Sequence, residues 1–228
     1  MMKNLRASRG KFFIERLIAE GEHDRQDFKY TISDARKIAR SLSAFANHRG
    51  GRLLIGVKDN GTVAGVRSEE DIYMIETAAQ IYCRPEPSVT FHAYKANDEG
   101  AQVIVAEVAP SDIRPIYVQE DDGSQKAYIR VADENILAPE LLVRAWRRQN
   151  SPQGSLLTLN AVETTVIDTI AASVGGMISS EQLIRTVKAS RFTIEEAITK
   201  LAAIGTVEFR YHGGEFMLVL KDQSEAIG

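Results

Sequence analysis

The chain has 228 residues, 44% hydrophobic and 26% charged, the balance of an ordinary globular fold with room for one medium domain and a small one. Its net charge of -3 excludes a general attraction to polyanions, and its single cysteine excludes an intrachain disulfide or a Cys-based zinc cluster. No apolar run approaches the ~20 residues a membrane helix needs, so no membrane partner is expected.

The charge is uneven. Residues 1–50 carry eleven Lys/Arg against six Asp/Glu, whereas residues 151–228 carry six against nine, so a polyanionic partner is expected to meet the N-terminal half. The first residues lack the apolar stretch and small-residue cleavage site of a signal peptide. With one thiol, Cys83, this predicts a cytoplasmic protein in a reducing compartment and a cysteine buried on a helix.

In chain order, Phe12, Phe13, Leu17 and Ile18 predict a helix from about Lys11 to Ala19. "QDFKYTI" reads as a short strand. Ser33 is the expected cap of the next helix, in which Ala35, Ile38, Ala39, Leu42 and Phe45 form an apolar stripe. Gly50 and Gly51 end that helix, "RLLIGV" reads as a buried strand, and "KDNG" turns it back into "TVAGV" as a hairpin. "SEEDIYMIETAAQIYC", capped by Ser68, predicts another helix, broken by "RPEP". The stretches "SVTFHAY", "AQVIVAEV", "PIYVQ" and "KAYIRV" follow as strands with turns at "NDEG" and "EDDGSQ". A helix over "APELLVRAWRRQ" closes a first domain at residues 1–149. The fold class is α+β: a mixed or antiparallel sheet with flanking helices, not a regular βαβ repeat.

"NSPQGS" at 150–155 reads as a linker. Residues 156–222 show three helical patterns, Asn160–Ala172, Ser179–Lys188 and Thr193–Ala203. Two strands around Gly213-Gly214 follow, the order of a winged helix-turn-helix, and 223–228 are a tail. In the third helix Glu195, Glu196 and Lys200 are expected to face outward. Two carboxylates repel DNA phosphates, which favours a protein contact or a homodimer over DNA reading, with Arg191, Arg210 and His212 on the other side of the balance.

Basic residues supply the best candidate binding surface. Arg36 and Arg40 lie one helical turn apart with Lys37 beside them, Arg49 and Arg52 flank the glycine pair, and Arg144, Arg147 and Arg148 form a second cluster. Clustered guanidinium groups near a Gly-rich corner suit phosphates. Gly50 and Gly51 allow the backbone to turn and something to approach closely, either a phosphate or a neighbouring strand. Asn47 and His48 read as polar groups ending the helix, with His48 a further candidate for phosphate contact. No GxxxxGK[ST] stretch is present, so ATP hydrolysis is not expected.

"GEHDRQDFK", "AFANHRGGRLLIGVKDNGTVAGV", "RPIYV" and "AYIRVADEN", in this order over about residues 15–145, resemble the Schlafen-type AlbA-like domain. The resemblance implies DNA or RNA as partner and a transcription-regulator-like role. For some members it implies a metal-dependent endoribonuclease, whose acidic residues carried over by position are Glu22, Asp27 and Asp59, with Lys29 beside Asp27. Such a site would hold Mg²⁺ or Mn²⁺ on the three carboxylates, activating water while the lysine offsets developing charge. This chain departs from the family pattern at His23, where a serine is usual, and at Asp27, where the usual carboxylate is glutamate. Taken on the residues alone, Glu22 and Asp27 converge only if the chain bends at "HDR", and Asp59 is an ordinary turn residue.

Overall fold

The computed structural model describes residues 6–66, 68–150 and 158–221. Most of the expected linker and the whole expected tail lie outside the described residues. The chain divides into two compact units, Met1–Ala138 and Pro139–Gly228.

The first unit is built on a mixed five-stranded sheet, β1 (Ser8–Arg9), β5 (Val89–Lys95), β6 (Gln102–Val108), β3 (Gly51–Ile55) and β2 (Gln26–Lys29) in spatial order. β5, β6 and β3 pair antiparallel, whereas β2 runs parallel to β3 and β1 parallel to β5. Antiparallel neighbours need only a turn, but the parallel step from β2 to β3 requires a crossover. That crossover is α2 (Ala35–Asn47).

Period-2 alternation assigns the two sheet faces. Leu54, Val103 and Val105 face α1 (Lys11–Glu20) through Ile14 and Leu17. Leu53, Ile55, Ile104 and Ala106 face α2, α3 (Glu70–Thr77) and the π-helical turn Ala78–Tyr82 that extends α3. The predicted stripe of α2 is buried on this side, with Leu42 and Phe45 wholly covered. Burying such side chains stabilises by roughly 1.5–3 kcal/mol each. The cap of α2 is Asp34 rather than Ser33: its carboxylate accepts from the Arg36 and Lys37 amides at 2.9 and 3.3 Å. "TVAGV" forms no second hairpin strand. Val57 and Val63 pair as an isolated bridge across the turn, flanked by the Lys58 amide on the Thr62 carbonyl at 3.0 Å and the Ala64 amide on the Gly56 carbonyl at 2.9 Å, and Val66 then bonds to the Gln102 carbonyl at 2.8 Å.

A four-stranded antiparallel sheet lies across the other side of α2, in the order β4 (Cys83–Arg84), β7 (Tyr117–Gln119), β8 (Gln125–Val131), β9 (Glu134–Leu137). Cys83 is buried as expected, but on β4 and not on a helix, and burial pushes its thiol up to about 12. Asn47 ties the two layers together. Its amide donates to the Ile116 and Tyr128 carbonyls, both at 3.0 Å, and accepts from the Ile116 amide at 2.7 Å. It is a buried staple, not a surface helix end.

In the second unit, α4 (Glu140–Gln149), α5 (Ala161–Ala172), α6 (Ser180–Thr186) and α7 (Arg191–Ala203) accompany a sheet of β10 (Met177–Ser179), β12 (Glu215–Leu220) and β11 (Val207–His212) in spatial order. Asn160 and Ser179 each form a reciprocal capping box, with Glu163 and Gln182. Val166, Ile170, Leu183, Ile194, Ile198, Leu201, Val207 and Leu218 make the core. The sequence reading assigns α4 to the first domain, but α4 packs on α7. Leu141 joins the second core, and Arg144 bonds to both Glu195 and Glu196.

Candidate functional site

The acidic pair forms through a local bend. Gly21 takes a positive φ of 72°, and His23 and Gln26 exchange backbone hydrogen bonds at 3.0 and 3.1 Å. This tight turn at "HDR" returns Glu22 beside Asp27. Glu22 Oε1 accepts the Phe28 amide at 2.8 Å. Burial, then a hydrogen bond from its carboxyl to Asp27, holds Glu22 above the usual carboxylate range.

Asp27 is buried and already compensated. Its Oδ2 meets Lys29 Nζ at 2.7 Å, as expected for neighbours on one strand face, and its Oδ1 accepts from Arg130 at 3.2 Å. The Arg130 side chain is only 1% exposed. It also bonds Asn135 Oδ1 at 3.0 Å and lies over the Phe45 ring at 5.2 Å. Asp59 does not join them. It is exposed in the turn closed by the Gly61 amide on the Lys58 carbonyl at 2.7 Å. Among the described residues no group of three or more His, Cys, Asp or Glu side chains is arranged to hold a metal ion. A divalent cation needs anionic oxygens facing open space. Here both Asp27 oxygens face cations, Glu22 Oε1 accepts the Phe28 amide and Asp59 stands apart, so these residues do not fit Mg²⁺ or Mn²⁺.

The basic residues sort into two kinds. Arg40 is held by Glu120 in a fork at 3.0 and 2.5 Å, and Tyr128 donates to the same carboxylate at 2.5 Å. The Arg40 contact, then Tyr128, keeps Glu120 below the usual carboxylate range against the cost of burial, while Tyr128 is pushed up to about 12 by burial and by Glu120. Arg36 pairs with Asp121 and lies over Tyr82 at 4.7 Å. The "EDDG" turn is therefore a clamp on α2, because Glu120 is buried. Arg52 bonds Gln26 Oε1 at 2.6 Å and pairs with Glu20. Lys37 and Arg49, by contrast, are exposed.

The glycine pair is explained by packing. A Cβ on Gly51 would collide with the Phe45 ring, and one on Gly50, where φ is 72°, would lie 2.7 Å from the Val108 carbonyl oxygen and 2.8 Å from Pro110. The close approach is by this chain's own helix and by the loop after β6; protein fills the space beside both glycines.

Beyond that corner, Asp24 stands between two imidazoles. Its Oδ1 lies 3.3 Å from His23 Nδ1 and its Oδ2 3.5 Å from His48 Nε2. Burial, with Arg49 and Arg114 nearby and Asp24 opposing, holds His48 below the usual histidine range. Sequence reasoning overlooked Asp24, Arg114 and Arg130, though Arg114 and Arg130 sit inside quoted motifs, "RPIYV" and "AYIRVADEN".

In the second unit Glu195 and Glu196 do not point free into solvent. Arg144 holds both, and Arg148 lies 3.4 Å from Glu196. Arg147 faces Glu140 of its own helix at 3.7 Å. Lys200 is drawn inward to the buried Glu163 at 2.8 Å.

The crystal structure of the DIP2311 protein from Corynebacterium diphtheriae is similar to this chain at a TM-score of 0.43 and 15% identity, over 90% of this chain and 37% of that one. This chain thus spans well under half the length of that protein. No curated protein matches the sequence. No helix among the described residues is long and apolar enough to cross a membrane. The family model described as Schlafen, AlbA_2 matches residues 22–139, from the acidic bend through β9 and the staple of Asn47 and Arg130. That is more than half of the sequence, and the chain belongs to this Schlafen AlbA_2 family, whose domain points to a nucleic-acid-related function.

Proposed function

We propose that the protein binds nucleic acid through its phosphate backbone, at the corner where α2 meets β3. The observation that carries this reading is the cationic character of that corner. Arg49 is exposed, and Arg49 and Arg114 both act electrostatically on the half-buried His48. An exposed guanidinium with a second, half-buried one acting on the same histidine suits phosphate oxygens, and the binding this gives is sequence-tolerant. Arg36 and Arg40 contribute shape to α2 rather than phosphate contact, because Asp121 and Glu120 pair with them.

The second unit we read as a winged helix, supported by its helix–strand–helix–helix–hairpin order and by the cross-strand register around Gly213-Gly214. α4 lies against α7 and neutralises Glu195 and Glu196, so α7 serves packing, and this unit contributes partner choice in a regulator-like protein.

The test is equilibrium binding of fluorescent single-stranded RNA, duplex RNA and duplex DNA to the wild type and to Arg49→Ala/Arg114→Ala. The reading expects about a tenfold or greater loss in the double variant, since each charged contact contributes ~1 kcal/mol or more. Equal affinity in both proteins contradicts it.

A further inference from the structure

The longest open strand edge among the described residues lies in the second unit. β11 spans six residues, whereas the other edge strands, β1, β2, β4, β9 and β10, span two to four. Edge strands are usually blunted by proline, lysine or a bulge. The β11 sequence "VEFRYH" has no proline or lysine, and its register with β12 runs unbroken from Val207 on Leu220 to His212 on Glu215.

Hydrogen-bond parity fixes which groups that edge offers. The Lys221 amide donates to the Thr206 carbonyl at 3.0 Å, and in an antiparallel ladder the bonded pairs recur at every second residue. Glu208, Arg210 and His212 therefore bond β12, while Val207, Phe209 and Tyr211 turn their amides and carbonyls away from it. None of these three amides has another backbone partner among the described residues. Their side chains share the inner face, where Phe209 packs on the core and Tyr211 meets Phe216 edge-on at 5.0 Å. Glu208 and Arg210 share the opposite face, Arg210 is exposed, and neither forms an ion pair among the described residues.

Resting on the reading of the second unit as the one that chooses a partner, we infer that the partner is a second copy of this chain. The two β11 edges pair antiparallel about a two-fold axis at Phe209, joining two three-stranded sheets into one. In that register Phe209 exchanges amide and carbonyl with Phe209 of the partner subunit, and Val207 does so with Tyr211 of the partner subunit. Those are the groups left open. Glu208 then falls opposite Arg210 of the partner subunit, and Arg210 opposite the partner's Glu208. Both are non-hydrogen-bonded positions, where facing side chains stand closest. The charges also select this register over its neighbours. Moving the axis by one residue sets Glu208 against its own copy or Arg210 against its own copy, and like charges directly opposite are destabilising.

The experiment is sedimentation equilibrium of the full chain as a function of concentration. It compares the wild type, Glu208→Arg, Arg210→Glu, the double variant Glu208→Arg/Arg210→Glu, and an equimolar mixture of the two single variants. Retention of single-stranded RNA and circular dichroism are measured on the same samples. The wild type is expected to dimerise. Each single variant sets two like-charged pairs across the axis and should associate about tenfold or more weakly, with an unchanged spectrum. The double variant exchanges the two signs, and in the mixture each copy complements the other, so both should recover the wild-type association. A wild type that stays monomeric overturns the second copy as partner, and with it the partner-choosing role. A dimer that neither single variant weakens overturns the β11 edge. Weakening that the mixture does not reverse overturns the register and leaves the second unit as the contact. RNA retention that persists in every sample leaves the phosphate-binding reading intact whichever of these is found.

Discussion

Two polar groups interleave within six residues of sequence and live in opposite surroundings. Glu22 and Asp27 fold inward, where Lys29 and Arg130 neutralise Asp27 and Glu22 accepts the Phe28 amide. His23 and Asp24 turn outward to His48, at a corner with Arg49 and Arg114 beside it. The difference teaches that the residue types most suggestive of metal chemistry here are bound up in holding β2 to β8. Their less conspicuous neighbours are partly exposed, with Asp24 between the two imidazoles. A buried ion pair with satisfied partners specifies a fold; a half-exposed one beside the exposed Arg49 can meet a ligand.

The largest effect that separates the two groups is on stability. Arg130→Ala should lower the unfolding free energy by about 3–5 kcal/mol in chemical denaturation, since it leaves Asp27 buried with half of its compensation. Arg49→Ala at the corner should stay within about 0.5 kcal/mol. Equal losses would erase the distinction. Next, Asn47→Ala should cost about 2–4 kcal/mol, because the Ile116 amide and two carbonyls lose their partner inside the protein. Gly51→Ala should follow at about 1–3 kcal/mol through overpacking against Phe45. A smaller, pH-resolved effect comes from the clamp on α2. Glu120 has a folded pKa below its ordinary 4.5, so its contribution is fully present above that value and is lost as pH falls through the folded pKa. Urea midpoints measured from pH 6 down to pH 3 should fall more steeply for the wild type than for Glu120→Gln.

Much of this was legible in the residues. The stripe of α2 and the hairpin at Gly213-Gly214 appear as the periodicities require, and so does the bend at "HDR". What the sequence could not show was long-range pairing. Arg36 and Arg40 look like a free basic face because their partners, Asp121 and Glu120, lie some eighty residues away. Glu195 and Glu196 look like an outward acidic helix because Arg144 and Arg148 approach from a helix across the linker. Gly51 reads as a ligand loop until Phe45 occupies its missing side chain. β9 escaped notice because "ENIL" is too short and too polar to signal a strand, and the same shortness hid β10. In each case the local pattern was right about chemistry and silent about distance.

The central claim is that polyanion contact sits at the Arg49 corner and not on the Arg36–Arg40 face. The most direct test is the salt dependence of binding to a single-stranded RNA, measured for the wild type, Arg49→Ala and Arg36→Ala. Each phosphate contact contributes about 0.7 to the slope of log affinity against log salt concentration. The account predicts that Arg49→Ala lowers the slope by about that amount and that Arg36→Ala leaves it unchanged. A slope lowered by Arg36→Ala and untouched by Arg49→Ala would contradict it.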